Sequence, residues 1–143
     1  MSLHKGRLKM ANANLLAIIV AALSGFLIGG VWYGPLFGKV WQREAGVSQE
    51  AMGETSPLKL FGLTFLFSLL SAVFLGHLLA STGVSKPHVV MMISVGVALG
   101  FIVPALGTNY LFGRKSGTLF AIDAGYWLIF YAAMGGVFVL LGV

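Results

Sequence analysis

The chain contains no cysteine, which excludes disulfides and thiolate metal sites. Charge is scarce as well. Charged residues make up 9% of the 143 positions, against roughly 25% in an ordinary soluble domain. Only four residues are acidic, and three of them, Glu44, Glu50 and Glu54, share one loop. Neither paired carboxylates, nor a nucleophile beside a base, nor a glycine-rich phosphate loop is found. The chain is therefore not expected to be an enzyme. The basic residues are spread over short loops and the N-terminal tail, and no segment forms an exposed basic face. Membrane lipids with anionic headgroups are the partners this pattern suits, and nucleic acid is not. His77 and His88 flank one turn with no further ligand types around them, so neither a metal nor a haem, and no other cofactor, is expected.

What the chain has in abundance is apolar sequence, at 58% of residues. Four stretches, near Asn14–Tyr33, Leu58–Leu79, Val89–Phe112 and Thr118–Leu141, reach or approach the roughly 20 residues that cross a hydrocarbon core. They leave no room for a soluble domain. The expectation is a single all-α domain over residues 1–143, an integral membrane bundle of four transmembrane helices. Short connections around Ser81–Pro87 and Gly113–Gly117 make successive helices antiparallel, up-down-up-down. The basic stretch Met1–Lys9 ahead of the first apolar run is similar to the start of a signal peptide. The run is too long for one, however, and lacks a cleavage site before Trp32. It reads as a retained span preceded by a tail over residues 1–9, with a start at Met10 as the alternative. Lys and Arg are nearly balanced between the two sides, and discounting residues 1–9 favours both termini outside the cytoplasm.

Local signals punctuate the spans. Trp32-Tyr33-Gly34-Pro35 predicts the exit of span one, with Trp32 and Tyr33 as interfacial anchors. Residues 36–57 form the one long loop. Its Lys39–Glu44 portion predicts a short surface helix, with Trp41 as a third anchor dipping inward. Ser56-Pro57 predicts an N-cap followed by a first-turn proline. Pro104 predicts a kink in span three. Leu36-Phe37-Gly38-Lys39 parallels Leu111-Phe112-Gly113-Arg114, which suggests two related hairpins.

Small residues recur at four-residue spacing. Gly25, Gly29, Gly30, Gly34, Gly96, Gly100, Gly135 and Gly136 are the candidates for close helix packing. They offer more small faces than one bundle needs, so a homo-oligomer or a larger membrane complex is expected.

Asp123 is the one charge inside a long apolar segment. A carboxylate there is costly, though the positive end of its own helix softens the cost. Asn109, Tyr126 and Trp127 are expected around it, with Tyr110 close by, as an intramembrane polar cluster. The bland reading is a polar clasp between spans three and four. The functional reading is a carboxylate that handles protons or cations.

The stretches Gly29-Gly30-Val31-Trp32-Tyr33-Gly34-Pro35-Leu36-Phe37-Gly38-Lys39-Val40-Trp41, Asn109-Tyr110-Leu111-Phe112 and Leu119-Phe120-Ala121-Ile122-Asp123-Ala124-Gly125-Tyr126-Trp127 carry a family resemblance. In these motifs the chain resembles the bacterial domain of unknown function 1761 (DUF1761) family. The resemblance implies a small four-helix protein of the bacterial inner membrane, and it implies no activity, substrate or cofactor. The family pattern places Asn where this chain has Asp123, which favours a hydrogen-bonding role there. Three functions follow as expectations: a structural or accessory subunit, a small transporter or channel with a polar path near Asp123, and a lipid-handling protein.

Overall fold

The computed structural model describes the backbone of residues 2–143 and the side chains of residues 15–143. The reading of residues 1–9 as a tail, and of Asn14 as the start of span one, falls on residues whose side chains lie outside the description. Helix α1, Ser2–Val31, runs into a π turn at Trp32–Leu36, and the two supply span one, Leu15–Leu36. Two short helices follow, α2 (Gly38–Ala45) and α3 (Gln49–Glu54). Span two is α4, Pro57–Thr82. Span three comprises α5 (Pro87–Val97), a π turn (Ala98–Ile102) and α6 (Val103–Phe112). Span four is α7, Gly117–Leu141. All four are long and apolar enough to cross a membrane, and they pack as an all-α bundle.

The prolines set the local geometry. Pro57 and Pro87 sit in the first turns of α4 and α5, where a missing N–H has no helical partner to lose. Pro35 does not end span one, as the sequence suggested. The chain continues through a widened turn in which the Phe37 N–H donates to the Trp32 carbonyl at 2.9 Å. Pro104 is preceded by the second π turn, where the Val103 N–H donates to the Ala98 carbonyl. A five-residue step accommodates the donor that proline lacks and keeps the helix going. Ser56 occupies the N-cap of α4 but its hydroxyl caps nothing. Ser48 and Ser116 do cap, accepting from the Ala51 and Leu119 N–H groups at 3.0 and 3.1 Å. Gly83, at φ 67°, ends α4 in the left-handed conformation that glycine adopts without steric cost.

Span four is the spine of the bundle. Of its most apolar stretch 39% is buried, against 17% for spans two and three. Span one packs on spans four and two, span three packs on span four, and spans two and three barely meet. The helices thus form a bent row in the order two, one, four, three. A twofold relating the two hairpins would make the one–four and two–three contacts alike, and they are unlike.

Ala17, Ala21, Ala22 and Ala72 are fully buried, and small side chains here bring helices close. The buried Ser68 hydroxyl donates to the Ala22 carbonyl at 2.7 Å, tying span two to span one. The predicted packing glycines divide in two. A Cβ on Gly25 would overlap the Phe130 ring, one on Gly29 would lie 3.0 Å from the Tyr126 hydroxyl, and one on Gly135 would lie 2.7 Å from Ser94. Gly30, Gly34, Gly96, Gly100 and Gly136 have nothing within 4 Å of such an atom among the described residues. Among the described residues these five are not packing positions.

Candidate functional site

Ser116 caps span four, and Asp123 lies about 9 Å in from its first residue, Gly117, at 1.5 Å per residue. Asp123 is 7% exposed. Each of its carboxylate oxygens accepts from a phenol. The Tyr33 hydroxyl donates to Oδ1 at 2.5 Å, and the Tyr110 hydroxyl donates to Oδ2. One phenol comes from span one and the other from span three. An ionised carboxylate only accepts, so two O–H donors on separate oxygens suit it, and such charge-assisted bonds are the strong kind. The clasp therefore joins three spans rather than the two expected.

The membership of the cluster also differs from expectation. Asn109 is exposed and lies outside it. The Tyr126 hydroxyl points to the Gly25 carbonyl at 3.5 Å instead of to Asp123. Trp127 stacks in the aromatic core, with its ring 4.9 Å from both Tyr126 and Phe130. Tyr33, read from sequence as an interfacial anchor, is a ligand of the carboxylate. Trp32 is held inside too, its indole N–H donating to the Ile122 carbonyl at 3.0 Å. The indole lies so close to Gly125 that a Cβ there would sit 3.1 Å from it.

Helix α2 lies beside this end of the bundle. Trp41 packs edge-on against Tyr33 at 5.8 Å. Gly38 begins α2 so close to the π turn that a side chain would strike the Tyr33 carbonyl, with a Cβ at 2.5 Å. At the other end of α2, Glu44 accepts from the Ser116 hydroxyl at 2.7 Å. Ser116 thus caps span four and ties the loop helix to it. Ser116→Ala is expected to cost about 1 kcal/mol of stability through the lost cap. It should also speed tryptic cleavage after Arg43 several-fold. Unchanged cleavage would show that α2 is not docked through Ser116.

Among the described residues, no group of three His, Cys, Asp or Glu side chains could hold a metal ion. His77 Nδ1 sits 2.8 Å from the Val73 carbonyl of its own helix.

A bundle of four candidate spans, fastened at one end by a phenol-bound carboxylate, is the build of a small multi-pass integral membrane protein. The chain belongs to the DUF1761 family, described as "Protein of unknown function", which it matches over residues 16–139. No curated protein and no solved structure matches it.

Proposed function

We propose that this chain is a non-enzymatic structural or accessory subunit of the bacterial inner membrane that packs against other membrane chains. The observation that carries this reading is the closure of Asp123. Both oxygens of the one intramembrane carboxylate are occupied by phenols that fasten spans one, three and four. Each oxygen keeps a second lone pair, but the carboxylate is 7% exposed and both its bonds run to neighbouring spans, which is the arrangement of a group that holds helices together. The outward surface supports the same reading. Gly30, Gly34, Gly96 and Gly100 meet no described part of their own chain, and small faces of that kind suit contacts between chains. Phe67, Phe74 and Phe101 on spans two and three are 65%, 69% and 73% exposed.

Native purification in mild detergent, followed by mass spectrometry, tests the proposal. The expected result is a homo-oligomer or a stoichiometric partner chain. A lone monomer would overturn it, and so would ion flux in liposomes that Asp123→Ala abolishes.

A further inference from the structure

Because spans two and three barely meet, a crevice of about 240 Å³ remains between them. Ser71, Phe74, Leu75 and Leu78 of span two line one wall, Val97 of span three the other, and Tyr131 of span four the floor. Phe74 and Leu78 are 69% and 42% exposed, so the crevice opens sideways toward the hydrocarbon.

Two hydroxyls in this apolar space lack partners. Tyr131 is 94% buried (6% exposed), and its hydroxyl has no hydrogen bond among the described residues, whereas the other three tyrosines each make one. The Ser71 hydroxyl is likewise unbonded among them, although Ser68, one turn earlier, bonds across to span one. A buried polar group such as the Tyr131 hydroxyl is costly without a partner, and in lipid no bulk water can relieve it; Ser71 is half-buried and adds a second donor at the same depth. The depth is informative. Ser71 and Tyr131 each lie 14 residues into their spans, and Val97 lies 15 residues before the end of span three. At 1.5 Å per residue all three stand roughly 21–23 Å from the Asp123 end, near mid-membrane.

We propose that the crevice binds a membrane-soluble ring carbonyl compound, of the chemistry of an isoprenoid quinone. Its ring would lie between Phe74 and Tyr131, and a ring carbonyl would accept from the Tyr131 and Ser71 hydroxyls. Depth and size exclude the other occupants. A phospholipid keeps its ester oxygens at the membrane edges, about 15 Å from mid-membrane, so its chains would leave both hydroxyls unpaired. A partner helix, about 10 Å across, lies over the mouth of a 240 Å³ crevice rather than inside it, and its carbonyls are already bonded within the helix, so it brings no acceptor to the two hydroxyls. A single water would find only these two hydroxyls, the fewest partners a buried water keeps, and the carbon walls would leave most of the 240 Å³ unfilled. A neutral ring with no charged headgroup is free to reach this depth, and the lateral opening admits it from the bilayer. The proposal stands apart from the accessory-subunit reading and does not depend on it.

Trp127 stacks 6.4 Å from Tyr131 and serves as the reporter. Decylubiquinone is titrated into the full chain in nanodiscs while tryptophan emission is followed, with empty-crevice and filled-crevice variants in parallel. Wild type should quench saturably at one quinone per chain. Tyr131→Phe, which removes one oxygen and no volume, should weaken binding about tenfold. Ser71→Phe, which fills the space from a half-exposed position, should abolish saturable quenching. Asp123→Asn should bind as wild type does. Linear quenching of equal slope in all four proteins would overturn the proposal. So would saturable binding indifferent to both crevice variants, which would place the quinone elsewhere. A tenfold loss in either crevice variant, with the melting profile retained, supports it.

Discussion

Asp123→Leu is expected to destabilise the bundle by about 1–3 kcal/mol, while Asp123→Asn changes it by less than about 1 kcal/mol. The comparison is between helices that are inserted but apart and helices that are packed. When apart, Asp123 sits near enough to the membrane edge, about 9 Å into its helix, for its carboxylate to find water or headgroups. When packed, it is buried and holds two phenols. Leucine removes the acceptor and leaves both hydroxyls without their partner, and each unpaired buried group costs roughly 1–3 kcal/mol. Tyr33 and Tyr110 are only half-buried, so part of that cost is relieved by rotation, which sets the lower end of the range. Asparagine keeps one acceptor oxygen for one phenol, and its amide donates to the oxygen of the other. Thermal unfolding in one detergent, with all three proteins side by side, reads the difference. Equal midpoints for leucine and aspartate would mean that the clasp carries no stability. A large loss for asparagine would mean that the charge itself is needed.

The bundle was legible because its signal is composition over about 20 residues. The four spans come out within three residues of the predicted ends at all but the outside-the-description start of span one. Asp123 was legible because a charge inside an apolar run is costly and needs partners. Its partners were harder to read. Trp-Tyr before a proline reads as an interfacial belt whether the rings face lipid or a neighbouring helix, since both settings offer an apolar body and a polar tip. Only the π turn at Trp32–Leu36, which carries span one past Pro35, settles the end of span one, and nothing in residue order announces a five-residue step. One clue was available. In an up-down bundle the end of span one, the end of span three and the start of span four share a side, so Tyr33 was within reach of Asp123 as surely as Tyr110. The crevice was illegible, because it depends on which pair of neighbours fails to pack.

The glycines provide the sharpest test of the packing, since eight look alike in sequence and three have neighbours that a methyl group would meet. Gly25→Ala is expected to cost about 1–2 kcal/mol, and Gly30→Ala to cost nothing or to add a few tenths. Both substitutions gain the same helix propensity, up to about 1 kcal/mol per residue, so the difference between them isolates the contact. At Gly25 the new methyl would overlap the Phe130 ring. The ring has no room to yield. It is 1% exposed, and the rings of Tyr126, Trp127 and Tyr131 hold it at 5.6, 4.9 and 5.1 Å. Relief then requires span one to move away from span four, and overpacking of this kind costs roughly 1–3 kcal/mol before the propensity gain is subtracted. At Gly30, one and a half turns along, the methyl meets nothing described in this chain. Melting midpoints measured in monomer-forming detergent should separate the two variants by several degrees. If Gly30→Ala were the more damaging in an oligomeric preparation, and harmless in the monomer, its face would be the contact between chains. If the two were equally mild in both, the close approach of spans one and four at Phe130 would be wrong.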